Sequence, residues 1–285
     1  MAPRVLVVGA GGQLGGAMTR GLGDRHDVIA RTRAELDVTD AAALRAAVAG
    51  VRPQVILNCA AYTAVDAAET APVEALAVNS AAVRTLSRLA AESGATLVHF
   101  STDFVFDGET TQPYGEDDAP NPRGVYAASK LLGEWYAMET PRHYVLRVES
   151  LFGGPRAKSS VDRLLDGIRA GAEVRAFVDR TVSPSYVDDV VQATWGLLDG
   201  PAPFGLYHCV NTGWTTWAGL AAELARLAGR PEARITPVPA ADAHLVAPRP
   251  MFAALSNAKL ARAGIAMPTW QEALGKYVKT RGAGC

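Results

Sequence analysis

Tyr126-Ala127-Ala128-Ser129-Lys130 sets a phenol and an ammonium four residues apart. On a helix, positions i and i+4 share a face, so Lys130 lies one turn above Tyr126. A nearby ammonium favours the phenolate and is expected to lower the phenol from about 10. A phenol so tuned can donate a proton near neutral pH. Upstream, Phe100-Ser101-Thr102-Asp103-Phe104 closes an apolar stretch. A hydroxyl at a strand end, as at Thr102, can bond a carbonyl and help hold the charge that grows on it. Near the start, Val5-Leu6-Val7-Val8 runs into Gly9-Ala10-Gly11-Gly12-Gln13-Leu14-Gly15. G-x-G-x-x-G fails there because its sixth place is Leu14; G-x-x-G-x-x-G fits, through Gly9, Gly12 and Gly15. A glycine turn that opens a helix lets backbone approach a pyrophosphate under the positive end of the helix.

Which dinucleotide is read at the end of the second strand. An acid about 20 residues past the glycines would grip ribose hydroxyls. Here Ile29-Ala30-Arg31-Thr32-Arg33 comes first, with no acid until Glu35. Guanidinium groups suit a 2′-phosphate. Arg31 and Arg33 are therefore expected to select NADPH, with NADH as the lesser alternative.

These groups need a scaffold, and the apolar pattern supplies one. Continuous apolar runs at Val5–Val8, Asp27–Ala30, Val55–Cys59, Thr96–Ser101 and Tyr144–Val148 read as buried parallel strands. Helical patterns alternate with them: Gln13–Leu22, Asp40–Val48 with Asp40 as N-cap, Pro72–Ala91, and Val125–Met138. Asp107–Pro122 reads as a loop. This order predicts an α/β, Rossmann-type doubly wound parallel sheet. Beyond Ser150 the alternation loosens. Helices are expected at Ser160–Ala170, Val187–Leu198, Thr216–Leu227, Ser256–Ala263 and Thr269–Lys279, and strands at Val174–Phe177, Leu206–Val210 and Ile235–Val238. The expected organisation is a dinucleotide-binding domain over 1–150 and a smaller substrate lobe over 151–285, interleaved with it.

Composition bounds the partners. The chain has 285 residues, 49% hydrophobic and 20% charged, which is ordinary for a globular protein. Its 28 Lys+Arg against 29 Asp+Glu leave a net charge of −1, without the basic field that nucleic acid or a membrane surface calls for. No run is long enough for a signal peptide or a membrane span, so a cytoplasmic protein is expected. Cys59, Cys209 and Cys285 are odd in number and widely spaced, which suggests reduced thiols. His26, His99, His143, His208 and His244 show no ligand spacing, and no metal is expected; His99 and His208 read as packed in strands. Trp195, Trp214, Trp217 and Trp270 read as core or lobe contacts. Arg outnumbers Lys 23 to 5, which draws attention to Lys130.

The glycine turn, Thr102, Tyr126 and Lys130, in that order, resemble the extended short-chain dehydrogenase/reductases. Closer still, Asn58 to Glu69, Ser101 to Gly108 and Val125 to Glu134 are similar to segments of the dTDP-4-dehydrorhamnose reductases. So are Ser183 to Val187, Gly205 to His208, Pro248-Arg249-Pro250 through Ser256, and Pro268-Thr269-Trp270, so that the resemblance spans nearly the whole chain. It implies Thr102, Tyr126 and Lys130 as catalytic residues. It implies cofactor contacts at Gly12 to Leu14, at Asp37 and Val38, and at Ala60 to Thr63, with Ala61 and Tyr62 between them. Val65, Asp103 and Phe104 would lie near the sugar. One departure stands out. Where that family often reads Arg-Thr-Ser-Trp after the fifth strand, this chain reads Arg147-Val148-Glu149-Ser150, and Ser150 takes the Trp place.

The implied activity is NAD(P)H-dependent reduction of the 4-keto group of a dTDP-linked 4-keto-6-deoxyhexose. Dehydration, as in the neighbouring 4,6-dehydratases, would need a second acid or base after Asp103, and Phe104 cannot move a proton. For the substrate diphosphate, Arg249 between two prolines is the first candidate, with Arg156 and Lys158 behind it. Two alternatives stay open: a 4-ketoreductase for another deoxysugar of natural-product glycosylation, and a non-catalytic NADP-binding regulatory subunit. A nucleotide sugar is the expected partner, and a homodimer is left open.

Overall fold

In the computed structural model, residues 2–22, 26–156, 158–243 and 245–282 are described. Cys285 and His244 lie outside them. The apolar runs form a six-stranded parallel sheet from β1 (Arg4–Val8), β2 (Asp27–Arg31), β3 (Val55–Asn58), β4 (Thr96–Thr102), β5 (His143–Val148) and a strand from much later in the chain, Gly205–His208. The order across the sheet places that late strand beside β5, then β4, β3, β1 and β2. Such a sheet needs helices on both faces. One face carries α1 (Gln13–Leu22), which packs on a late helix over Val187–Asp199. The fit is tight, since a Cβ on Gly21 would meet Val191 Cγ1 at 2.7 Å. The other face carries α2 (Ala41–Val51), α3 (Val65–Ala68), α4 (Pro72–Leu76), α5 (Ala82–Ser93) and α6 (Val125–Met138). Asp40 caps α2 as expected, accepting from Ala42 and Ala43 N–H.

The second half thus contributes both a strand and a helix to the sheet's own layers. The remainder of that half builds a separate apolar cluster around Phe152, Leu165, Leu220, Trp270 and Leu274. Its helices are α7 (Ser160–Arg169), α9 (Trp217–Leu227) and α11 (Trp270–Gly282), while α8 (the Val187–Asp199 helix) and α10 (Ala258–Arg262) pack with the sheet. Short strands Leu151–Phe152 and Ser185–Tyr186 pair in parallel between the two halves of the molecule.

Several boundaries differ from the sequence reading for local reasons. β3 stops at Asn58, whose side-chain amide turns to His99 Nδ1 at 3.1 Å and whose carbonyl accepts from Ala60 N–H. Thr216 sits outside its helix as an N-cap bonded to Gly219 N–H. The expected helix over Pro72–Ala91 is broken by a π-helical segment, Ala77–Ala81. Among the described residues no helix is long and apolar enough to cross a membrane, and no cluster of three His, Cys, Asp or Glu could hold a metal.

Candidate active site

Two clefts open at the carboxyl end of the sheet and meet at Thr63. The first, of about 550 Å³, is lined by Gly9, Gly11, Gly12, Arg33, Asp37, Val38, the stretch Cys59 to Ala64, and Arg156. Gly9 has φ +80°, and a Cβ there would lie 2.6 Å from Ala60 N. A Cβ on Gly15 would collide with the Gly9 carbonyl oxygen, so α1 starts flush against the turn. The wall at Gly9, Gly11 and Gly12 is bare backbone beside a helix N-terminus, with Arg33 and Arg156 adding positive charge. That fits an anionic dinucleotide.

Not all of the predicted cofactor residues reach this wall. Leu14 is buried in the core against the sheet. Gln13 turns away and donates to the Gly153 carbonyl at 2.9 Å, on the rim of the second cleft. Arg31 is not among the lining residues; its guanidinium bonds back to the Ala30 carbonyl. Glu35 accepts from the Thr32 N–H and hydroxyl, and Asp37 accepts from the Thr39 N–H and hydroxyl, so both carboxylates brace their own turns.

The second cleft, of about 450 Å³, is lined by Val65, Thr102, Asp103, Phe104, Tyr126, Ser150, Lys158, Arg163, Arg180, Trp217 and Arg249, among others. Here β4 delivers Thr102 at its last residue and α6 delivers Tyr126 in its first turn. Lys130 lies a turn deeper, 2% exposed, with its Nζ donating to the Phe100 carbonyl at 2.5 Å. Burial brings this ammonium down to about 8, against the pull of Glu134. Burial pushes the Tyr126 phenol up to about 12, with Thr102 lowering it and Asp103 raising it. The phenol is therefore raised where the sequence predicts a lowering by Lys130: desolvation dominates, and the group that opposes it is Thr102. The phenol stays protonated at neutral pH, which is the state a proton donor needs.

Helix α6 is fixed from two sides. Arg147 of β5 grips Glu134 through two 2.8 Å hydrogen bonds, both side chains almost fully buried. Asn79, on the π-helical segment, bonds the Tyr62 N–H at 2.9 Å, the Tyr62 carbonyl at 3.1 Å and the Ser129 hydroxyl at 3.0 Å. One side chain thus ties the cofactor-side loop to the catalytic helix, a role in keeping with π segments at functional sites.

Arg249 reaches the cleft, but its guanidinium is paired with Asp66 at 3.0 Å, bonds the Ala247 carbonyl and lies 5.6 Å over the Phe104 ring. The first candidate for a diphosphate thus lines the second cleft with its charge already shared with Asp66. Of its two stand-ins, Arg156 lines the cofactor cleft and Lys158 the second cleft. Sequence reasoning missed Arg163, Arg180 and Glu149. Arg180 lines both this cleft and an adjoining one of about 350 Å³ with Trp217 and Phe177. Glu149 is 1% exposed and comes from the step after β5. Ser150, in the place of the family's Trp, has φ +45°, an unusual value for a residue with a side chain. His99 and His208 are fully buried. Trp195 stacks on His26 and Trp270 sits in the lobe core, while Trp214 is half exposed.

Sheet order, glycine turn and the Thr–Tyr–Lys arrangement define a Rossmann-type reductase of the short-chain dehydrogenase/reductase class. A family model described as the RmlD substrate binding domain matches residues 3–282, and the chain belongs to that family. It is 39% identical to a dTDP-4-dehydrorhamnose reductase of Streptomyces griseus, across 95% of this chain and 92% of that one. It is 35% identical to a probable dTDP-4,6-dihydroxy-2-methyloxan-3-one 4-ketoreductase of Streptomyces antibioticus, across 95% and 93% of the two chains. A crystal structure of the Bacillus anthracis dTDP-4-dehydrorhamnose reductase in complex with NADP superposes with a TM-score of 0.93 at 30% identity, covering 98% of this chain and all of that one.

Proposed function

We propose that this protein is an NADPH-dependent reductase of the 4-keto group of a dTDP-linked 4-keto-6-deoxyhexose. The observation that carries this reading is the meeting of the two clefts: a bare glycine wall opens directly onto a pocket holding Thr102 and a protonated Tyr126. The cofactor, held by Gly9, Gly12, Ala61 to Thr63 and Arg33, supplies the hydride when bound. Tyr126 gives its proton to the carbonyl oxygen as negative charge develops there. Thr102 orients that carbonyl by a hydrogen bond. Lys130, buried a turn below Tyr126 and charged below about 8, favours the phenolate left after transfer. Lys158, Arg163 and Arg180 face the diphosphate, and Trp217 and Phe177 offer apolar faces to the base in the adjoining cleft.

A second reading keeps the chemistry and changes the sugar. Ser150 leaves room where the family often has Trp, and the Streptomyces antibioticus relative is itself named for a different ketosugar. The test is NADPH consumption with a panel of dTDP-4-keto-6-deoxyhexoses and NMR of each product. Oxidation with 4-dehydrorhamnose best of the panel supports the first reading, and preference for another member the second. Tight NADPH binding without turnover of any member would sink both and favour a regulatory subunit.

A further inference from the structure

Thr102 has one proton to donate, and in the structure it goes to Asp103 Oδ1, at 2.9 Å. Yet the proposed reduction needs that proton turned to the substrate carbonyl. The two demands are reconciled if Asp103 carries a proton of its own and donates to Thr102. The strands supply a reason for it to do so. β4 and β5 pair in parallel up to Thr102 opposite Val148, and Asp103 and Glu149 directly follow those two residues as the strands end, near enough for the charge of Asp103 to bear on Glu149 and for Arg180 to act on both. Both carboxyls are buried, at 4% and 1% exposure. Glu149 Oε2 accepts from the Ser183 N–H at 2.7 Å, while its Oε1 is buried with no hydrogen-bond partner.

We propose that Glu149 is a positioning residue: paired with Asp103 it keeps a proton in the dyad, and that proton turns the Thr102 hydroxyl toward the substrate carbonyl. Two carboxylates side by side in a dry site cannot both ionise at neutral pH. The groups that bear on the dyad are few. Arg180 acts on both carboxyls and lowers them, but its own Nε is buried without a partner; Arg249 in turn weighs on Arg180. Tyr126 faces Asp103 from α6, and the Phe104 and Ser183 N–H groups complete the set. The balance agrees with the geometry: burial raises Asp103 to about 7 and drives Glu149 well above its usual range, with the Asp103 charge adding to the latter. The two titrate as a pair, so the proton belongs to both.

This inference rests on the reductase reading in one respect, that Thr102 meets a carbonyl. Glu149→Gln tests it, because the amide oxygen can still accept from Ser183 N–H while the second ionisable group is gone. The alkaline fall of kcat should then move down by about one pH unit or more, with about a tenfold loss above neutrality, near wild-type turnover at acid pH and KM little changed. An unmoved pH profile, or an equal loss at every pH, would overturn it. Infrared spectra of the wild-type protein between about pH 6 and about pH 9 provide a second measurement that needs no sugar and no variant. A protonated-carboxyl C=O band should persist above neutrality; its absence would overturn the dyad even if ketosugars are reduced. Its presence without ketosugar turnover would leave the dyad standing and count against the reductase reading alone.

Discussion

Tyr126 carries the sharpest prediction at the scale of single residues. Tyr126→Phe should cut kcat by about 10²- to 10⁴-fold, the usual worth of a positioned acid, and leave NADPH affinity nearly intact. Steady-state assays with a fluorescence titration of NADPH check both halves, and near-normal turnover would refute the role. A second prediction separates two arginines that the sequence could not tell apart. Arg33 lines the cofactor cleft whereas Arg31 folds back on Ala30, so Arg33→Ala should erode the preference for NADPH over NADH more than Arg31→Ala does. The ratio of kcat/KM for the two cofactors in each variant decides it. Thr102, Tyr126, Lys130 and the glycines were legible from spacing alone because their neighbours in space are near in sequence or sit at strand ends. Glu149 and Arg180 were not: they come to Asp103 from the step after β5 and from a distant turn.

Elements set how well those residues are held. The bidentate Arg147–Glu134 pair is the buried link between β5 and α6. Removing one partner strands the other charge, so Arg147→Leu should cost about 3–5 kcal/mol in denaturant unfolding. A loss near that of a surface pair would show that α6 is held by packing instead. Asp40→Ala, which removes the α2 cap, should cost only about 1 kcal/mol in denaturant unfolding. Most strands and helices were visible as apolar periodicity. The π segment at Ala77–Ala81 was not, because it inserts into a run whose composition is helical throughout. Its effect, aiming Asn79 at both Tyr62 and Ser129, is a matter of phase along the helix axis, which periodicity does not report.

For the molecule as a whole, two buried histidines are the groups that acid works against. His208 is buried among Arg147, Tyr114 and Phe106, and desolvation drives it down to about 3; His99 is lowered as well, chiefly by burial. Both stay neutral in the fold and would gain protons on unfolding. At these two sites the unfolded chain binds more protons from about pH 6.5 downward, so their contribution to stability falls as pH falls through that window, to about 3 for His208. Each group should contribute about 1 kcal/mol per pH unit. The raised Asp103 and Glu149 bind protons in the fold and act in the opposite sense over this range, so the histidine contribution is read as the difference in urea midpoints between wild type and His208→Asn from about pH 7 to about pH 5, and a difference that does not change with pH would refute it. The strand Gly205–His208 has a further consequence, since it is the last piece of the sheet and lies beside β5. During synthesis, Thr102, Tyr126 and Lys130 leave the ribosome well before the strand that seals their flank. The half-made sheet then presents an open β5 edge, with Leu146 and Arg147 on it, while some sixty residues are still to come. Nascent chains arrested before Gly205 should therefore be cut by protease in β5 and α6 and engage chaperones, and those arrested once α8 and this strand are outside should resist.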